Sequence, residues 1–148
     1  MTTRLLPPMQ ARRWGRVVNI SSLAATMAPA SSPGYAACKA AMNAMTSSLA
    51  KAVASSGITV NAMSPGTIHS DALDARFREV AAEKELLDPD APWDAIERAV
   101  LPLFAEVPVG RTGEPEEVAR AVAFLVSPLA GYITGTNLRI DGGLSPVI

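Results

Sequence analysis

Two short apolar runs on either side of a long helical segment constrain the fold of this sequence most. Residues 16–22 (RVVNISS) and 58–66 (ITVNAMSPG) are rich in β-branched and other apolar residues, which is typical of strands buried on both faces. Residues 33–55 between them consist mostly of Ala, Met, Ser and Leu and are followed by Gly57, a common helix stop signal. A buried strand, a helix and a second buried strand predict a parallel β-α-β unit.

The rest of the chain adds helices and one more strand. Residues 1–12 have the pattern of the end of a helix, although Pro7 and Pro8 are unfavourable inside one. Further elements are predicted as helices over 71–87, 93–105 (broken at Pro102) and 113–128, and as a third strand over 137–143. The order predicts an α/β fold, with a parallel sheet of about three strands covered by helices.

Composition excludes several classes of function. The 148 residues are 49% hydrophobic and 18% charged, which excludes intrinsic disorder and favours one domain. Thirteen basic and fourteen acidic residues form no patch, so no nucleic-acid partner is expected. One cysteine and one histidine predict no disulfide and no metal site. No run is long enough to span a membrane and no signal peptide is present, so we expect a cytoplasmic protein without membrane contact.

Three polar residues are spaced so that they can meet at one edge of the predicted sheet. Tyr35 and Lys39 lie four residues apart at the start of the 33–55 helix, so they share one face. Ser22 ends the preceding strand, and ligands of α/β sheets bind beyond the carboxyl ends of strands. An ammonium favours the phenolate form of a neighbouring tyrosine, which can then exchange a proton with an alcohol or carbonyl oxygen. Tyr-x-x-x-Lys alone is a weak motif, since packing and solvation also explain it.

Four longer segments make the motif specific. GRVVNISS, YAACKAAMNAMTSSLAKAVASSGITVNAMSPG, GRTGEPEEVARAVAFLVSP and YITGTNLRIDGG closely resemble the short-chain dehydrogenase/reductase family. The resemblance runs from about Thr3 to Gly143. Within the family, the sequence most resembles the branch that contains 3-oxoacyl-carrier-protein reductases and glucose and alcohol dehydrogenases. It implies the C-terminal part of a Rossmann-like, doubly wound parallel sheet.

The resemblance implies a role for each polar residue. The family's active serine precedes its tyrosine by thirteen positions, which selects Ser22 rather than Ser21. Tyr35 would be the catalytic acid/base, Lys39 would favour its phenolate form, and Ser22 would hold the substrate oxygen. Tyr35 and Lys39 would also contact the nicotinamide ribose.

Further cofactor contacts are implied after the second strand. The Pro65-Gly66 turn leads to Ile68, whose backbone would meet the nicotinamide carboxamide. Ser70 occupies a position that usually holds threonine, near the carboxamide and the diphosphate, and keeps the hydroxyl. The cofactor would be NAD or NADP, because the residues that distinguish them follow a strand that this sequence does not contain.

The sequence departs from the family before Ser22. It has no Gly-x-x-x-Gly-x-Gly turn, no Asn-Asn-Ala-Gly strand and no asparagine on the following helix. We therefore expect residues 1–148 to be the C-terminal part of one short-chain dehydrogenase/reductase domain of roughly 250 residues, without its N-terminal dinucleotide-binding segment. Met1 would be a misassigned start, the start of a deliberately shortened chain, or the start of a genuine short product.

Two functions from different classes remain. The leading hypothesis is an NAD(P)-dependent oxidoreductase that interconverts a small-molecule alcohol and a carbonyl compound by hydride transfer, with the 148-residue chain inactive alone. The alternative is a non-catalytic remnant that only oligomerises or packs with a partner. Both predict a homo-oligomer, dimer or tetramer, because the 33–55 helix resembles one that packs against its symmetry mate. An epimerase or dehydratase of the extended branch fits poorly, because GRTGEPEEVA and IDGG belong to the single-domain branch.

Three other residues have alternative interpretations. His69 either contacts substrate or is a solvated loop residue, and solvation is the expectation. Cys38 is expected to be a packed thiol, because its position takes small residues. Trp93 is predicted either to form a substrate lid or simply to pack, in both cases with Phe77, Leu86 and Leu87.

Overall fold

The structure is a computed structural model that describes residues 2–146, and these residues group into two compact units. The first unit comprises residues 2–65 and 119–139, and the second comprises residues 66–118 and 140–146. Met1, with which the predicted first helix began, lies outside the described residues.

A parallel sheet forms the centre of the first unit and confirms the predicted fold class. Its strands are β1 (Gly15–Ile20), β2 (Ile58–Pro65) and β3 (Asn137–Ile140), in the spatial order β1-β2-β3. β1 and β2 are parallel, and Val17 lies opposite Val60. Their parallel arrangement follows from the long helix between them, because only a crossover connection returns the chain to the same end of the sheet.

The strands differ in burial, and one prediction was wrong. β2 is buried from Ile58 to Ser64, as expected for the central strand. β1 was predicted to be buried but is only half-buried, and Ile20 is 46% exposed. In the described part of the chain β1 pairs on one side only, so one of its edges has no neighbouring strand. β1 also ends at Ile20 rather than Ser22, so the two serines follow the strand.

Two helices pack on the sheet and complete the core of the first unit. α1 (Thr2–Ala11) continues through Pro7 and Pro8, although each proline removes one helix hydrogen bond. The short helix α2 (Ala24–Met27) precedes α3 (Pro33–Val53). The core of this unit joins α1, α3 and the first two strands through Leu6, Met9, Val17, Leu49, Ala50, Val53, Ile58 and Val60.

Gly57 makes the turn from α3 into β2. A short 3-10 turn (Ala54–Ser56) follows α3, and Gly57 has φ 74°, a conformation that glycine adopts without strain. A Cβ on Gly57 would lie 2.3 Å from the backbone oxygen of Arg13. The turn is therefore packed directly against the chain that enters β1.

The second unit is built on a pair of helices, α4 (Asp71–Glu83) and α5 (Trp93–Phe104). Its core consists of residues from both helices: Phe77, Val80, Ala81, Ile96, Val100 and Leu101. The predicted break at Pro102 was wrong, because this proline lies in the last turn of an intact α5. α4 ends four residues earlier than predicted, and the chain then turns through Glu85, which has φ 52°.

The C-terminal helix and strand form where the sequence predicts them, but both are shorter than predicted. α6 (Pro115–Val126) was predicted over 113–128, and its first turn contains Glu116 and Glu117, which stabilise the positive end of the helix dipole. β3 was predicted over 137–143, but Gly142 and Gly143 lie beyond it in a turn with φ 60° and 85°. α6 and β3 each include residues of both units.

Candidate active site

Ser21 and Ser22 follow β1 in the first unit, and their hydroxyls have different partners. The Ser21 side chain is buried, and its Oγ donates a hydrogen bond to the backbone oxygen of Lys39 at 3.3 Å. Ser22 is half-buried, and its Oγ accepts a hydrogen bond from the Ala24 amide at 3.2 Å, where α2 begins. The Ser22 hydroxyl therefore keeps its own proton to donate, whereas that of Ser21 is used to attach α3.

Tyr35 and Lys39 lie one turn apart in the first part of α3, as the sequence predicts. Tyr35 is 50% exposed, and the Lys39 Nζ lies 5.5 Å from the centre of its ring. The same Nζ donates a hydrogen bond to the backbone oxygen of Ile20 at 2.8 Å. The ammonium is thus held between the phenol ring and the carboxyl end of β1, within range of a cation–π interaction.

These contacts bring the three predicted catalytic residues to one edge of the sheet in the first unit. Lys39 connects α3 to Ile20, and Ser22 follows Ile20 by two residues. Pro65, at the end of the neighbouring β2, accepts a hydrogen bond from the Leu23 amide at 3.3 Å. The carboxyl ends of both strands therefore lie at this edge, where α/β proteins bind ligands.

The remaining predicted cofactor residues belong to the second unit. The Gly66 amide donates to the Ile140 oxygen at 2.9 Å, and a Cβ at Gly66 would lie 2.9 Å from the Asp141 Cα. Ile68 forms an isolated parallel bridge with Gly113. That bridge uses the Thr67 oxygen and the His69 amide, and it leaves the N–H and C=O of Ile68 itself outside its hydrogen bonds.

Ser70 has a structural role that sequence reasoning missed. It is the N-cap of α4, and its Oγ accepts a hydrogen bond from the Leu73 amide at 3.2 Å. The signal was present in the sequence, because serine directly before an acidic first turn is typical of a helix start. The hydroxyl still has a proton that it can donate to another group.

His69 is packed rather than simply solvated. Its ring stacks on Trp93 with 4.2 Å between centroids and 8° between planes. Trp93 in turn packs on the buried Phe77, as predicted, whereas Leu86 and Leu87 are exposed.

A second set of contacts in this unit holds the GRTGEPEE segment in place. Arg111 forms two hydrogen bonds of 2.8 Å with the carboxylate of Glu117. This hydrogen bond and the negative charge of Glu117 raise the pKa of the Arg111 guanidinium above its usual value. The buried Thr112 donates both its amide and its hydroxyl to Glu97 Oε1. These residues hold the loop before α6, and their pairing across fifteen positions could not be found from sequence spacing.

Cys38 is exposed, so the prediction of a packed thiol was wrong. Only four of the 21 residues of α3 are buried, and one face of the helix is largely exposed. The exposed residues on this part of the helix are mostly small, namely Ala37, Cys38, Ala40, Ala41, Ala44, Met45 and Ser48.

The described residues hold neither a metal-binding cluster nor a helix that could cross a membrane. Residues 2–146 contain no cluster of three or more His, Cys, Asp or Glu side chains placed to hold a metal ion. Within the same residues, no helix combines the length and the apolar character needed to cross a membrane.

The parallel sheet and its flanking helices define an α/β protein, and comparison with known sequences specifies its family. The sequence profile described as Enoyl-(Acyl carrier protein) reductase matches residues 1–145, and the chain belongs to this family of short-chain dehydrogenases/reductases. Among curated relatives, the 3-oxoacyl-acyl-carrier-protein reductase FabG of Vibrio cholerae is 40% identical over 144 residues, which cover 97% of this chain and 51% of the relative. Nodulation protein G of Azospirillum brasilense is 37% identical over 145 residues, covering 98% and 51%.

Solved structures agree with this assignment. L-sorbose reductase from Gluconobacter frateurii, complexed with NADPH and L-sorbose, matches with a TM-score of 0.82 and 28% identity over 97% of this chain and 52% of its own. A putative 2-deoxy-d-gluconate 3-dehydrogenase from Agrobacterium tumefaciens with bound NADP matches with a TM-score of 0.75 and 33% identity, with the same coverage. The chain thus spans about half the length of the relatives that it matches.

Proposed function

We propose that the chain is part of an NAD(P)-dependent oxidoreductase that interconverts a small-molecule alcohol and a carbonyl compound. The observation that carries this proposal is the position of the Lys39 Nζ, 5.5 Å from the Tyr35 ring and bonded to the end of β1. A positive charge at this position stabilises the negative charge left on the phenol oxygen after proton transfer, which suits Tyr35 to exchange a proton with an alcohol or carbonyl oxygen. Family membership and the NADPH and NADP bound by the two structural relatives support the cofactor class.

Ser22, Tyr35 and Lys39 each have a role in the proposed mechanism. In the reductive direction Tyr35 donates its phenolic proton to the carbonyl oxygen of the substrate. The hydride for the carbonyl carbon would come from a nicotinamide held by Tyr35 and Lys39. The Ser22 hydroxyl donates a hydrogen bond to the same oxygen, and Lys39 stabilises the phenolate that Tyr35 leaves behind. In the oxidative direction Tyr35 takes the proton from the alcohol.

Six residues are proposed to bind the nicotinamide cofactor, namely Tyr35, Lys39, Pro65, Gly66, Ile68 and Ser70. Lys39 has two ammonium protons beyond the one donated to Ile20, and with Tyr35 it would contact the ribose hydroxyls. The backbone of Ile68, which its bridge does not use, suits the carboxamide, because an amide needs both a donor and an acceptor. The Pro65-Gly66 turn would lead the chain past the nicotinamide, and the Ser70 hydroxyl would donate a hydrogen bond near the carboxamide or the diphosphate.

We also propose a cytoplasmic homo-oligomer whose isolated 148-residue chain is inactive. The exposed face of small residues on α3 supports self-association, because such a face can approach an identical helix closely. The absence of a Gly-x-x-x-Gly-x-Gly turn in the sequence supports inactivity, because that turn binds the cofactor diphosphate. The same two observations favour the second candidate, a non-catalytic chain that only oligomerises or packs with a partner.

A titration with NADPH and NADH separates the two candidates. The chain is titrated alone and after fusion behind the N-terminal half of the Vibrio cholerae reductase, and binding is followed by cofactor fluorescence. The fused protein is then assayed for NADPH oxidation with L-sorbose and with a 3-oxoacyl thioester, and Tyr35→Phe is the matched control. Cofactor binding and Tyr35-dependent turnover by the fusion would support the oxidoreductase. A folded fusion that binds neither dinucleotide would favour the non-catalytic alternative.

A further inference from the structure

The two units of the chain carry opposite charge. In residues 2–146 the first unit contains eight Lys and Arg residues and no Asp or Glu, whereas all fourteen acidic residues belong to the second unit. The almost neutral sum over the whole sequence hides this separation. The first unit is therefore strongly electropositive, and a small anion is attracted to it from a distance.

A cavity of about 550 Å³ lies in the first unit at the amino ends of β1 and β2. It is lined by Arg16, the second residue of β1, and by Ile58 and Thr59, the first two residues of β2. Tyr132 and Thr134, from the loop before β3, also line it. The volume is typical of small-molecule sites. The three proposed catalytic residues lie at the carboxyl ends of the same strands, so this cavity is separate from them.

The guanidinium of Arg16 is held in place by backbone oxygens rather than by a carboxylate. Its Nη1 donates to the Gly15 oxygen at 2.9 Å and to the Gly57 oxygen at 3.3 Å, and its Nε lies 3.5 Å from the Ser127 oxygen. Its Nη2 makes none of the hydrogen bonds found among the described residues. This nitrogen lies beside Gly131, which lines the cavity, since a Cβ at Gly131 would be 3.7 Å from it. Arg16 thus offers a fixed positive charge with one nitrogen left to donate.

Thr59 places an unpaired hydroxyl next to this guanidinium. It pairs with Arg16 in the register of β1 and β2, so the two side chains lie on the same face of the sheet. Thr59 is only 5% exposed, and its Oγ1 has no hydrogen-bond partner within the part of the chain that the structure describes. A buried hydroxyl without a partner destabilises a fold. The Thr134 hydroxyl, which accepts from the Val60 amide at 3.0 Å, also keeps its own proton to donate.

We propose that this cavity binds a small organic carboxylate, held between the Nη2 of Arg16 and the hydroxyl of Thr59. The polar groups described above can all donate, and a carboxylate only accepts. One guanidinium balances one negative charge, which favours a carboxylate over a doubly charged phosphate ester. Ile58 and the fully exposed ring of Tyr132 provide apolar contacts for the body of the ligand. The proposal does not depend on the proposed oxidoreductase function.

Benzoate is the probe, titrated into the 148-residue chain by isothermal calorimetry. It should bind with a dissociation constant of about 1 mM or below, which is reasonable for so small a ligand. Benzamide has the same shape without the charge and should bind at least about tenfold more weakly, because a charge-assisted hydrogen bond is lost. Phenyl phosphate should also bind more weakly than benzoate.

Substitution of Arg16 tests where benzoate binds. Arg16→Met should weaken benzoate binding by about tenfold or more. Arg120→Met, which removes an exposed arginine from the same unit, is the matched control and should leave the affinity unchanged. Lys39→Met should also leave it unchanged, because Lys39 lies at the opposite ends of the strands.

Thr59→Val removes the unpaired hydroxyl and keeps the shape of the side chain. It should weaken benzoate binding by about two- to tenfold, the range of one hydrogen bond, without lowering the urea midpoint of unfolding. Thr46→Val is the matched control, because the buried Thr46 hydroxyl bonds to both Asn19 and Met42. That variant should lower the midpoint and leave benzoate affinity unchanged.

Four results would overturn the proposal. They are absence of benzoate binding, tighter binding of phenyl phosphate or benzamide, unchanged benzoate affinity in Thr59→Val, and loss of benzoate binding in Lys39→Met. Because Thr59→Val should keep the fold intact, it decides the matter even where Arg16→Met, which also removes the contacts to Gly15 and Gly57, does not fold.

Discussion

At the end of β1, the adjacent residues Ser21 and Ser22 have different roles because they differ in burial. Ser21 is buried and bonds to the Lys39 backbone, so its hydroxyl stabilises the attachment of α3. Ser22 is half-buried and accepts from Ala24, which orients its oxygen while its proton stays available. A polar side chain can serve chemistry only when the fold does not require both its donor and its acceptor.

Replacing Tyr35 tests the proposed acid/base directly. Tyr35→Phe keeps the ring beside Lys39 and removes only the hydroxyl, so the fold should be unchanged. Turnover by the NADPH-binding form should fall by about 10²- to 10⁴-fold, the range typical for loss of a general acid. Steady-state kinetics and circular dichroism measure the two effects. A kcat close to that of the unmodified protein would exclude Tyr35 as the proton donor.

Replacing Lys39 separates its charge from its place on the helix. Lys39→Met should lower kcat, because no ammonium then stabilises the negative charge left on the Tyr35 oxygen after proton transfer. It should also weaken NADPH binding, through loss of the ribose contact. Lys51→Met, which removes an exposed lysine from the same helix, is the matched control. The same kcat and the same NADPH affinity in both variants would leave Lys39 with only its structural contact to Ile20.

The burial and the exact bounds of individual helices and strands depend on contacts that the sequence pattern does not show. The apolar runs predicted the type and order of the three strands and of the major helices. They could not show that β1 is half-exposed, because burial depends on which strands lie beside it rather than on its own residues. Pro102 was expected to break α5, but a proline in the last turn removes only one hydrogen bond. Cys38 was misplaced for a similar reason, since periodicity gives a face of α3 but not what covers it.

The turn between α3 and β2 offers a sharp test of the fold. Gly57→Ala places a Cβ 2.3 Å from the Arg13 oxygen in a residue with φ 74°, so it should destabilise the protein by more than about 1 kcal/mol. Gly34→Ala, in the first turn of α3 with open space around it, should instead stabilise by about 0.4–1 kcal/mol. Urea unfolding followed by circular dichroism compares the two. Equal effects of both substitutions would contradict the described turn.

The aromatic core of α4 and α5 should dominate the stability of the second unit. Phe77 is fully buried between His69's partner Trp93 and Phe104, so Phe77→Ala should cost about 3–5 kcal/mol of unfolding free energy. Phe124→Ala removes the same ring from a residue that is 46% exposed and should cost much less. Hydrogen exchange of α4 and α5 amides reports the loss locally. Similar losses in both variants would mean that this core contributes little.

Unpaired surfaces determine the behaviour of the chain as a whole. The open edge of β1 and the exposed face of α3 both present groups that another chain can cover. We expect the isolated 148-residue chain to be oligomeric, or to aggregate, in size-exclusion chromatography with light scattering. Met45→Glu on α3 should shift the distribution towards smaller species, whereas Leu86→Glu, equally exposed on the second unit, should not. A monomeric chain that binds NADPH at micromolar concentration would contradict this prediction.

The single cysteine provides a site for chemical labelling on the exposed face of α3. Cys38 is exposed on α3, three residues after Tyr35 and directly before Lys39. Residues three apart on a helix are neighbours, so a reagent attached to this thiol would lie beside the phenol of Tyr35. A maleimide fluorophore would label the chain at one position without any engineering. Its rate of attachment would report on whether α3 is covered by a second copy of the chain.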